Sequence, residues 1–159
     1  MKIVVDAVPP VVGTLYPEPY DVPCRNRERR KLGDAAGLTQ FGVNRLTLPP
    51  GSWSSQRHWH TESDEFIYVL EGEVTLVTDE GPQILRAGDA AGFKAGDANG
   101  HHLQNRSQSP AIVLEVGTRV SSDACHYPGI DLFAPPGEKP AMFTHLDGTP
   151  YPAVRRGQK

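Results

Sequence analysis

Apolar and polar residues alternate through the middle of the chain in short runs, each closed by a turn signal. Phe41 to Leu48 (FGVNRLTL) runs into Pro49-Pro50-Gly51. Glu65 to Leu70 (EFIYVL) stops at Glu71-Gly72, and Glu73 to Thr78 (EVTLVT) stops at Asp79-Glu80-Gly81. Pro82 to Arg86, a stretch around Ala90 to Lys94, His101 to Arg106 and Ala111 to Val116 (AIVLEV) complete a series of seven. β-branched and aromatic residues alternating with polar ones, bounded by Gly, Pro and Asp, predict strands joined by tight turns. With no convincing 3.6-residue periodicity and no internal repeat, the series predicts an all-β antiparallel sandwich or barrel.

The flanks read differently. Pro9, Pro10, Pro17, Pro19 and Pro23 crowd the first 23 residues, and Pro128, Pro135, Pro136, Pro140, Pro150 and Pro152 punctuate the last 39. Proline fixes φ and donates no backbone hydrogen bond, so helix is disfavoured and extended arms wrapping the core or a partner subunit are expected. A single domain of 159 residues is thereby divided into an N-terminal arm with the first strands (1–39), a barrel core (40–118) and a C-terminal arm (119–159).

Charge narrows the partners. The formal net charge is −3, which argues against a general nucleic-acid or membrane-surface binder. No run approaches the roughly 18–20 apolar residues of a membrane-spanning helix. The basic run Arg25, Arg27, Arg29, Arg30, Lys31 is read as a solvated loop or strand face, with an anion or partner site as the alternative. No secretory signal is legible at Met1 to Val5, which places the chain in the cytoplasm and its two cysteines, Cys24 and Cys125, as thiols by default, with a disulfide left open.

The densest chemical signal is Arg57-His58-Trp59-His60, followed by Glu65. Residues i and i+2 of a strand share a face, so His58 and His60 can aim two imidazoles into one interior. Glu65 opens the next strand and can return a carboxylate to the same end, and His101 opens a later one. Three imidazoles and one carboxylate suit one divalent first-row metal per chain: Mn, Fe, Co, Ni or Zn. An octahedral ion on these four ligands keeps two open positions, whereas a tetrahedral zinc would be closed. Gln56, on the same strand phase as the histidines, and His102 are the available, weaker catalytic candidates. Phe66, Tyr68 and Leu70 form the opposite stripe of their strand, suited to core packing or a dimer surface.

The stretch Gly51-(6)-His58-Trp59-His60-(4)-Glu65-(6)-Gly72 resembles the first motif of the cupins, and Gly88-Asp89, Ala95-Gly96, His101 and Asn105 resemble the second. Lys94 stands where that family usually has a proline, and four residues separate Gly96 from His101. The His-to-Asn spacing of four selects His101 over His102 as the matching residue; on a strand the two point opposite ways. The resemblance covers roughly residues 40 to 118. It implies a double-stranded β-helix (jelly-roll) barrel with a metal near one mouth, a small-molecule ligand and a homodimer. Sugar-phosphate-isomerase-like proteins are similar overall. A metal-dependent, isomerase-like enzyme acting on a sugar, sugar phosphate or hydroxy acid is therefore the leading expectation. An Fe(II)-dependent dioxygenase and a non-catalytic small-molecule-binding module are the alternatives.

Overall fold

In the computed structural model, residues 1–137 and 142–154 are described; Pro140 of the C-terminal arm lies outside them. Twelve strands occur among these residues. They are β1 (Pro10–Val12), β2 (Glu28–Lys31), β3 (Phe41–Leu48), β4 (Trp59–His60), β5 (Glu65–Glu71) and β6 (Glu73–Thr78), then β7 (Gly81–Arg86), β8 (Ala90–Phe93), β9 (His102–Gln104), β10 (Ala111–Thr118), β11 (Cys125–His126) and β12 (Phe133–Ala134). One helical turn, α1 (Leu32–Ala35), follows β2.

The strands form antiparallel sheets in the orders β1-β2-β3-β10-β5-β8, β7-β6-β9 and β12-β11-β4. The first two sheets face each other. Leu46, Leu48, Ile67, Val69, Ala111 and Val113 from the large sheet meet Val74, Leu76 and Leu103 from the small one in a single aliphatic cluster. Gly72, at φ +75°, makes the tight link from β5 to β6, and a Cβ there would lie 2.9 Å from the Pro110 carbonyl oxygen. Only glycine fits that link. No helix among the described residues is long and apolar enough to cross a membrane.

Alternation along β5 buries Ile67 and Val69 and exposes Phe66, Tyr68 and Leu70. Core packing is thus excluded for that outer stripe. Glu65 sits in the same phase as Ile67 and Val69, so it extends the inward row beyond its aliphatic part. In β10, Ala111 and Val113 are buried in the core and Glu115 continues their phase. The inward rows run from hydrocarbon at one end to ionised groups at the other, and this gradient positions the site.

The N-terminal arm adds β1 and β2 to the edge of the large sheet, with short 3-10 turns at Val5–Ala7 and Val22–Cys24. The basic run does contain a strand, but the expectation of a solvated face fails at Arg27, which is 6% exposed, and at Arg29. Arg27 donates to the Gly13 carbonyl and the Thr14 hydroxyl, at 3.1 Å each, and to the carbonyl of Ser54. Arg29 pairs with the opposing β3 residue Leu46 and therefore also points inward. Both arms then supply a second cluster: Tyr16, Cys24, Cys125, Tyr127, Leu132 and Ala134, with Trp53, Phe143 and Tyr151 against it.

Candidate metal centre

The four residues expected to ligate a metal come together. His58 and His101 form an isolated antiparallel bridge, with reciprocal backbone hydrogen bonds of 3.1 and 2.8 Å. Their rings lie 4.8 Å apart, centre to centre. His60 follows on β4, and Glu65 opens β5. All three imidazoles aim Nε2 at one oxygen, Glu65 Oε2: His101 at 2.9 Å, His58 at 3.3 Å and His60 at 3.6 Å. The face of His101 stacks on Phe93 at 3.5 Å, which fixes its ring plane.

Hydrogen bonds on the far nitrogens decide the tautomers. His58 Nδ1 donates to the Gln56 carbonyl at 2.9 Å, with Ser55 Oγ at 3.2 Å. His60 Nδ1 donates to Asp123 Oδ2 at 2.6 Å. In neutral imidazoles both Nε2 atoms then carry lone pairs, and both face a carboxylate oxygen. Two lone pairs and an anion converging on one point call for a cation between them, and the donor set fits a divalent transition metal. Burial alone would raise the Glu65 carboxyl, but the hydrogen bond from His101 and the nearby His58 and His60 rings outweigh it and hold it well below the usual range. His101 is lowered, mainly by burial, which favours the neutral ligand form.

Asp123 is the residue that sequence reasoning missed. Besides His60 it accepts from the backbone N–H groups of Glu62 and Ser63, at 2.9 and 3.3 Å, and from the Thr61 hydroxyl. A carboxylate on the distal nitrogen of a ligating histidine fixes ring orientation and raises basicity. Nothing in the sequence around Asp123 signals this, because the partner lies 63 residues away across an arm without periodicity.

The two weaker catalytic candidates do not join the imidazole cluster. Gln56 is buried and donates its amide to the Tyr20 carbonyl at 2.7 Å. His102 is buried too, at 4% exposed. Its Nδ1 donates to the Ser55 carbonyl at 3.0 Å, Gln104 approaches its Nε2 at 3.0 Å, and its ring meets Trp53 edge-on. Burial pulls it down to about 4. It is a packed neutral histidine on the strand face opposite His101.

The cluster borders two spaces. A cavity of about 610 Å³ is lined by His58, His60, Glu65 and His101 together with Tyr16, Arg29, Glu115, Cys125 and Tyr127. A second, of about 200 Å³, meets His60, Glu65 and His101 from the side of Trp59 and Phe93. Across the larger cavity Arg29 makes a two-pronged pair with Glu115, Nε to Oε2 at 2.7 Å and Nη2 to Oε1 at 2.8 Å. Burial would lower the guanidinium, but Glu115 more than compensates and keeps it charged. A carboxylate in the inward phase of the apolar run AIVLEV was the available sequence signal for this pair.

Residues 44–117 match the family model described as a cupin domain. A solved structure from Silicibacter pomeroyi, described as a sugar phosphate isomerase from a cupin superfamily, superimposes with a TM-score of 0.90. It is 41% identical, over 96% of this chain and 98% of that one. The chain is a cupin. A protein from Acidithiobacillus ferrooxidans, provisionally given the same activity, matches with a TM-score of 0.71 and 26% identity over 82% of this cupin and 81% of its own chain. The polyketide cyclase RemF from Streptomyces resistomycificus shares the fold alone, with a TM-score of 0.59 and 23% identity over 74% of this chain and 78% of its own. Comparison with curated protein sequences gives no significant match. The expected all-β cupin fold is therefore established, and its barrel carries the His-His-Glu arrangement typical of a metal-binding member.

Proposed function

We propose that this cupin is a metal-dependent enzyme of the isomerase type, acting on a small oxygen-rich substrate such as a sugar, a sugar phosphate or a hydroxy acid. The observation that carries the reading is the convergence of three Nε2 atoms on Glu65 Oε2. His58, His60, Glu65 and His101 would hold the ion, and the bound metal would supply Lewis acidity to a carbonyl or hydroxyl oxygen of the substrate. Asp123 and the Gln56 carbonyl hold two of the imidazoles in the ligating tautomer.

Arg29 and Glu115 present donors and acceptors side by side on the opposite wall, a surface suited to several hydroxyls. Tyr16 and Tyr127, buried in the second cluster, line one wall of the cavity. The likeness to the Silicibacter pomeroyi protein supports the substrate class.

Two further parts of the reading concern the whole molecule. The row Phe66, Tyr68 and Leu70, 44%, 39% and 42% exposed, supports a homodimer built on the outer face of the large sheet. Cys24 and Cys125 are both buried and not joined in a disulfide, which fits a reducing cytoplasm.

Metal-loaded protein incubated with a panel of aldose and ketose phosphates is expected to interconvert at least one pair. The activity should vanish on chelation and in Glu65→Gln. Turnover that survives metal removal would overturn the mechanism, and consumption of O₂ with Fe(II) but not Zn(II) would replace it with a dioxygenase.

A further inference from the structure

A second ligating group overlaps the first. One nitrogen each of His58 and His60 and the Sγ of Cys125 lie within 4.8 Å of one another, as do the ligand atoms of His58, Glu65 and His101. The topology places the thiol there. Cys125 on β11 pairs directly with His60 on β4, so the two side chains stand on one face of that small sheet. Cys125 also borders the same 610 Å³ cavity as the imidazoles. Its neighbour Tyr127 reaches it with a side-chain hydrogen bond, and the Tyr127 ring lies 6.0 Å from that of His58.

From this geometry we infer that Cys125 is a ligand of the centre for thiophilic metals, giving a His58–His60–Cys125 set alongside the His58–Glu65–His101 set. The inference rests on the metal-centre reading above and adds a selectivity device to it. Soft thiolate favours Zn(II), Cu(I) and Co(II), while carboxylate favours Mn(II). A chain that offers both on either side of His58 takes up metals of both kinds, with the ion displaced toward sulfur or oxygen according to its softness. As the metal–sulfur bond forms, the thiol proton leaves to solvent. Cys24, fully buried in the second cluster, belongs to neither set. Burial raises its thiol to about 11, which keeps it protonated and inert.

Cobalt is the direct probe, because a thiolate ligand gives Co(II) an intense near-ultraviolet charge-transfer absorption that imidazole and carboxylate do not. The full chain, titrated with Co(II) under anaerobic conditions and followed by absorption and by equilibrium dialysis, is expected to bind close to one ion and to develop that band. Cys125→Ser should still bind cobalt but lose the band, and Cys24→Ala should keep it. In competition, Cys125→Ser should lower Zn(II) uptake relative to Mn(II) by about tenfold or more. Bound cobalt without the band, or a band unchanged in Cys125→Ser, would overturn the role of sulfur and leave the histidine–glutamate centre standing. Failure to bind cobalt at all would overturn both.

Discussion

Two hydrophobic clusters hold this cupin together, and they are made of different material. The fully buried members of the first are all aliphatic and come from strands β3, β5, β6, β9 and β10 within residues 46–113, with Leu85, Ala91 and Phe93 packed against them. The second contains Tyr16, Tyr127 and two cysteines, packed against Trp53, Phe143 and Tyr151, and its residues come mainly from the arms. Period-two alternation builds the first, because each strand must turn one face inward. Aromatic rings carrying hydroxyls build the second, because it walls a polar cavity and must satisfy groups on that side. The candidate metal centre lies where they meet, at the end of the aliphatic rows and under the aromatic wall. One cluster holds the barrel together; the other shapes what the barrel encloses.

The largest expected effect separates these roles. Leu46→Ala empties a fully buried position of the aliphatic cluster and should cost about 2–5 kcal/mol of stability. Urea unfolding measures that loss, and metal uptake by the folded fraction should stay at the wild-type level. Parallel loss of uptake would mean that the two clusters are not separable.

Next comes acid sensitivity at the seam, where His102 lies against Trp53. His102 is held neutral by burial, at about 4 against 6.5 for an ordinary histidine. Between those values the unfolded chain takes up a proton that the folded chain refuses, so stability falls as pH falls through the window. The loss reaches about 3 kcal/mol near pH 4. His101 is lowered too and adds the same sign, as do the depressed carboxyls of Glu65 and Asp123 below their unfolded values. Urea midpoints at pH 7, 5.5 and 4.5 should fall steadily in the wild type and less steeply in His102→Gln.

The smallest effect addresses the arm's reach into the site. Asp123→Asn keeps the shape but weakens the hold on His60 Nδ1, and metal affinity should drop about 10–100-fold with little change in thermal stability of the metal-free protein. Competition against a chelator measures it. Unchanged affinity would show that the C-terminal arm only covers the site.

The same comparison explains what could be read from the sequence. The strand runs were legible because alternation is a local property: EVTLVT coincides with β6, and FGVNRLTL with β3. His58, His60 and Glu65 were legible as a candidate site because three side chains of ligating type fall within eight residues at motif spacing. Strand parity separated His101 from His102, although it did not foretell that His102 would be buried. The arms were opaque. Asp123 with His60, Cys125 with His60, and Arg29 with Glu115 are pairs between residues more than 60 positions apart. Which residues meet there depends on how the arms close over the barrel, and proline-rich segments carry no periodicity that encodes it. Arg27 and Arg29 looked like a solvated basic run for the same reason.

Elemental analysis of protein purified without chelators tests the central claim most directly, with circular dichroism as the check on folding. The account predicts close to one transition metal per chain in the wild type and its loss in the folded His58→Ala/His60→Ala double variant. Metal content unchanged in that variant would contradict it.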